Sequence, residues 1–134
     1  MRWHDVIWAI SRAAAEDPIL QGLYGEAIRM SGTQEHEVPS LEYLVISDTA
    51  SELWEPVTVQ WDQWTDTLEE LVISEAALRS LFDHAVPVTL EDVVMWAEFT
   101  DGAQLSVPDR AGFVGRAVRF RFTPLRDCLR GGRS

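Results

Sequence analysis

Glu35-His36-Glu37 sets an imidazole between two carboxylates, residue types from which a metal or proton-transfer site is made. Adjacent residues point in different directions, however, and the helical i, i+4 spacing of the zinc motif is missing, so the three form no ready ligand set. His84 follows Asp83 at an expected helix end, where an imidazole complements the negative terminus. His4 beside Asp5 reads as a surface pair. Glu69-Glu70 and Glu91-Asp92 are paired carboxylates, which do acid–base work when a cleft drives their pKa values apart. The first pair falls in the opening turn of a helix and the second in a turn before a strand, both solvated positions. Cys128 is the single cysteine; it has no base nearby in sequence and permits neither an internal disulfide nor a cysteine-based metal site. No phosphate-cradling glycine loop or nucleophile elbow is present in the sequence. The expectation is a chain that is not an enzyme and takes no cofactor or metal.

Charge and aromatic residues point instead to contact surfaces. The 134 residues carry a net charge of −11, which argues against general binding to nucleic acid or to an anionic membrane. All 11 basic residues are arginines. Seven of them lie in the last 25 residues against the one acid Asp127, which makes that segment +6 and leaves the first 109 residues at −17. Arg110, Arg116, Arg119, Arg121 and Arg126 are therefore candidate interface residues. Arg119 and Arg121 alternate with Val118, Phe120 and Phe122, and Arg116 is expected to continue their row. Such a row either pairs with acids on neighbouring strands or meets the acidic surface of a second copy. On the second reading, reversing Arg119 and Arg121 to Glu weakens self-assembly and spares folding. Among six tryptophans, Trp61 is in phase with Val57 and Val59 and belongs to the core. Trp64 and Trp96 are out of phase with their apolar neighbours, and Trp54 precedes the central strand; these three are candidate contact residues.

The elements that must position these residues are read from periodicity. A helix is expected over 5–15, with Trp3, Val6, Ile7, Ile10 and Ala14 on one face, ended by Asp17-Pro18. A short turn follows at 19–23, then strands over 26–30, 41–47 and 57–62. A second long helix capped by Thr65 or Asp66 runs to about His84, with Leu68, Leu71, Val72, Leu78 and Phe82 as its apolar stripe. Strands over 93–99 and 118–122 close the domain, with turns expected at Thr100-Asp101-Gly102 and Pro108-Asp109-Arg110-Ala111-Gly112. The order fits an α+β fold: a single, mostly antiparallel sheet of four to five strands with two main helices on one face. Residues 1–124 form the domain, and 125–134 an arginine-rich flexible tail. Met1-Arg2-Trp3-His4-Asp5 lacks the pattern of a signal peptide, and no apolar run approaches the ~20 residues of a membrane span. The expected setting is the cytoplasm, or a particle assembled there.

This order of elements resembles the tail-completion, or tail-terminator, proteins of long-tailed bacteriophages and related gene-transfer particles. The likeness runs through Glu16-Asp17-Pro18-Ile19-Leu20, the strand Leu41-Glu42-Tyr43-Leu44-Val45-Ile46 after Pro39, Trp54 leading into Val57 to Trp64, the helix from Asp66 to His84, and Arg119-Phe120-Arg121-Phe122. It spans nearly the whole chain as pattern and order. The resemblance implies a virion subunit that forms a homohexameric ring on the head-proximal end of the tail tube. Its partners would be itself, the tail tube protein and the head–tail connector, with DNA passing through the ring unread. An acidic channel suits that passage, because it repels the phosphate backbone. A head-closure or neck protein, or a small cytoplasmic enzyme or ligand-binding domain, stays open as an alternative.

Overall fold

A computed structural model of the chain describes residues 3–30, 39–46, 56–83, 88–90, 93–106 and 112–125. Helix α1 (Trp3–Glu16) buries Val6, Ile7, Ala9, Ile10 and Ala14 at helical spacing. Asp17 then separates α1 from a second helix. Its carboxylate accepts from the backbone N–H groups of Ile19 and Leu20, and Pro18 fills the first helical position, so α2 (Pro18–Tyr24) starts there. What the sequence marks as a stop and a turn is a stop and a seven-residue helix. Gly25, at φ 59°, ends α2 in a conformation that costs glycine little.

Strands β1 (Ile28–Met30), β2 (Ser40–Val45), β3 (Val57–Thr65), β4 (Val88–Leu90), β5 (Val93–Leu105) and β6 (Val114–Pro124) make one sheet in the order β1-β2-β3-β6-β5-β4. The α+β class holds, but among the described residues the sheet has six strands and is mixed: β1 pairs with β2 in parallel, and the other four pairings are antiparallel. The added strand, β4, is only three residues long, too short for alternation to announce it. Thr100, Asp101 and Gly102 are not a turn; they lie inside β5, whose register slips between Phe99 and Asp101. One extra residue at this bulge exchanges the faces of everything after it. Met95, Ala97 and Phe99 point to the helices, whereas Asp101 lies beside Arg119 on the other side.

The three helices among the described residues share one face of the sheet, and the core lies between. Helix α3 (Leu68–Phe82) opens with a capping box: the Thr67 hydroxyl accepts from the Glu70 N–H and the Glu70 carboxylate accepts from the Thr67 N–H. Its last residue, Phe82, stacks on Trp61 with centroids 6.0 Å apart and meets Phe120 and Phe122 edge-on at 5.7 and 5.2 Å. These are favourable geometries for ring quadrupoles. Val57↔Phe122, Val59↔Phe120 and Trp61↔Val118 face each other across β3 and β6, so the alternation of both strands converges beneath that ring. Helix α1 touches both edge strands, β1 and β4, and so crosses the width of the sheet.

Candidate protein-interaction surfaces

The face of the sheet away from the helices carries the arginines of β6. Arg119 pairs with Asp101 at 3.1 Å and donates to Gln60 Oε1 at 3.0 Å, while Arg121 lies 3.4 Å from Glu98. All four charged side chains are about half exposed. The bulge in β5 makes the first of these pairs, since without it Asp101 would point to the helices. Arg119 and Arg121 therefore meet acids of their own chain, each pair contributing no more than about 1 kcal/mol in water. Trp96 stands on the same face, 41% exposed and opposite Thr123.

Arg116 does not continue that row. It shares the phase of Val118, so it faces the helices, where Gly102 leaves space for it and its Nε donates to Glu75 of α3. A Cβ on Gly102 would sit 2.5 Å from the Arg116 guanidinium. Trp64 faces away from Trp61, as its phase requires, yet it is only 4% exposed. Its ring covers Gly115, its partner across β6, where a Cβ would come within 2.5 Å of the indole. Trp64 is thus packed locally and not held out for a partner. Trp54, Arg110 and Arg126 lie outside the described residues, as do His36, His84, the pair Glu91-Asp92 and the tail 126–134. Among the described residues, no group of three or more His, Cys, Asp or Glu side chains is placed to hold a metal ion. Nor is any helix among them long and apolar enough to cross a membrane.

Two features went unread in the sequence. One is a buried polar chain: Tyr24 donates from its hydroxyl to Ser74 Oγ at 2.6 Å, and Ser74 donates to Gln63 Oε1 at 2.7 Å. Ser74 and Gln63 are fully buried, so each needs such a partner. The chain ties α2, α3 and β3 together by geometry that apolar residues would not specify. Burial pushes the Tyr24 hydroxyl far above the ordinary phenol range; the Ser74 contact opposes that shift and the charge of Glu70 adds to it. Tyr24 is thereby kept neutral and hydrogen-bonded.

The other feature is the outward face of α3. The expected stripe divides in two: Leu71, Leu78 and Phe82 are buried, but Leu68 is 65% and Val72 61% exposed. Leu68, Val72 and Ala76 recur every four residues and form a second apolar row in water, with Ile73 exposed beside it. A shallow groove of about 410 Å³ runs along this row, walled by Leu68, Leu71, Val72 and Ala76. Glu75, Arg79 and Arg116 form its charged rim. Arg79 lies over the Phe99 ring at 3.6 Å and 3.4 Å from Glu75, which fixes one end of the groove against β5. A helix with apolar residues on both sides is usually covered on both sides. No family model, no curated protein and no solved structure matches this chain.

Proposed function

We propose that this chain is a structural contact subunit that assembles with copies of itself, on the pattern of the tail terminators it resembles. In that role it forms a ring, six copies in the family pattern, that caps a tail tube and joins it to the head-side connector inside a virion. DNA passes through the ring, and the net charge of −11 keeps it from adhering. The observation that carries self-assembly is the exposed apolar face of α3. A strongly charged chain has no use for Leu68, Val72, Ile73 and Ala76 in water unless a protein surface covers them. The charged pairs of β5 and β6 supply the opposite kind of surface, one that stays solvated beside such a contact.

The test is native mass spectrometry of the full chain over a range of concentrations, with electron microscopy of the largest species. Discrete oligomers, and rings when tail tube protein is added, are the expected result. A chain that stays monomeric throughout and binds no tube protein overturns the reading.

A further inference from the structure

The seam along α3 is self-complementary. Glu69, Val72, Ala76 and Arg79 follow the spacing three, four, three, which keeps four side chains on one side of a helix, as in a coiled-coil seam. All four lie at the surface: Glu69, Val72 and Ala76 are exposed, and the Arg79 side chain is 41% exposed. Read along the helix the seam is acid, apolar, apolar, base. Read from a second copy running the other way it is base, apolar, apolar, acid.

We infer that the α3 faces of two copies of this chain pack antiparallel about a two-fold axis, with Glu69 of each against Arg79 of the other and Val72 against Ala76. The pairing satisfies both charges twice over. The parallel arrangement places Glu69 on Glu69 and Arg79 on Arg79, so charge selects the antiparallel one. Ala76 is small enough to let the helix axes approach to about 8 Å. Leu68 and Ile73 flank the seam and widen the area removed from water. Arg79 is already held by Phe99 and Glu75, so little side-chain freedom is lost when Glu69 of the second copy reaches it.

A single face of a helix about 22 Å long buries an area near or below the ~1,200 Å² at which stable interfaces begin. The dimer is therefore concentration-dependent. A two-fold contact also closes on itself at two copies, so α3 joins copies in pairs and a ring needs a separate head-to-tail contact elsewhere on the chain. The inference rests on the proposed self-assembly only in requiring that copies of the chain meet.

The experiment mixes two full-length variants, Glu69→Arg and Arg79→Glu, one of them isotope-labelled so that native mass spectrometry separates mixed from like pairs. Each variant alone sets like charges against each other at both ends of the seam, and association weakens by about tenfold or more. Mixed, the two charges are exchanged and both pairs are restored, so mixed dimers form at wild-type concentrations while like dimers do not. Full-strength dimers of either variant alone, or no recovery on mixing two folded variants, overturns the inference. Should Arg79→Glu fail to fold, Val72→Glu serves in its place: it buries a carboxylate at the centre of the seam and abolishes the dimer, whereas an unchanged dimer overturns the pairing. A wild-type ring whose mass is unaltered by Val72→Glu overturns the pairing, leaves the ring in place and moves its contact from α3 to another surface. A wild-type chain that is monomeric at every concentration overturns both.

Discussion

The two outward surfaces of this molecule handle their side chains in opposite ways. On the far side of the sheet, Arg119 and Arg121 meet Asp101 and Glu98 within the chain, and Trp64 lies down over Gly115. On the helix side, α3 leaves Leu68, Val72 and Ala76 in water beside a charged rim. The first surface is internally matched; the second is matched only when something covers it. Charge attracts attention in a sequence, but exposed charged pairs with no apolar surface between them contribute little to a partner. Exposed apolar area is the better guide to where a chain meets another.

The most severe way to break the comparison is to remove what both surfaces stand on. Phe82→Ala empties the space between Trp61, Phe120 and Phe122 and is expected to cost about 3–5 kcal/mol, measured by denaturant unfolding. Both surfaces should then fail together. Gly115→Ala acts on the sheet side alone. Its methyl group would meet the Trp64 ring, so a loss of about 1–3 kcal/mol is expected in the same measurement. Adding Trp64→Leu should recover part of that loss by vacating the seat.

Tyr24 gives a pH test of the helix side. Its folded pKa is raised above its ordinary value of 10.0, so the folded chain keeps a proton that the unfolded chain releases. Its contribution to stability is therefore whole below about pH 10 and falls above it, by up to about 1.4 kcal/mol per pH unit. Tyr24→Phe should flatten that alkaline decline; an unchanged slope would show that other groups carry it. The smallest effect is expected from Arg119→Glu with Arg121→Glu, which should change stability by about 1 kcal/mol or less. If the comparison of surfaces is right, this double reversal leaves the native mass distribution alone whereas Val72→Glu shifts it toward monomer. The opposite pattern would move the contact to the sheet.

What could be read from the sequence follows from which forces are local. The phase of Val57, Val59 and Trp61, and of Val118, Phe120 and Phe122, is a property of neighbouring residues, and both strands form where alternation places them. Trp64 was legible in direction but not in burial, because its cover depends on Gly115, fifty-one residues further along the chain. Arg116 was legible too: its even number shares the phase of Phe120, and only the expectation of a continuous arginine row obscured it. The bulge after Phe99 has no signature in Thr100-Asp101-Gly102 beyond turn-forming residue types, which a bulge uses equally well. In α3 the two apolar rows could have been separated by angle, since Leu68, Val72 and Ala76 repeat every four residues beside the buried row. The buried link of Tyr24, Ser74 and Gln63 could not, because nothing local marks which polar residues will meet inside.

The strand order also has a consequence in time. β2 and β3 are neighbours along the chain, as are β5 and β6, but the pairing that unites the halves is β3 with β6. On a ribosome, β3 is complete at Thr65 while the strand that covers its free edge ends at Pro124. At ~5–20 residues per second that edge waits roughly 3–12 seconds for its partner. During that interval Val57 to Thr65 is a bare edge on which β-branched and aromatic residues outnumber Gln60, Asp62 and Gln63, the kind of edge on which nascent chains stick to one another. Slower synthesis lengthens that exposure and should therefore lower the yield of folded chain.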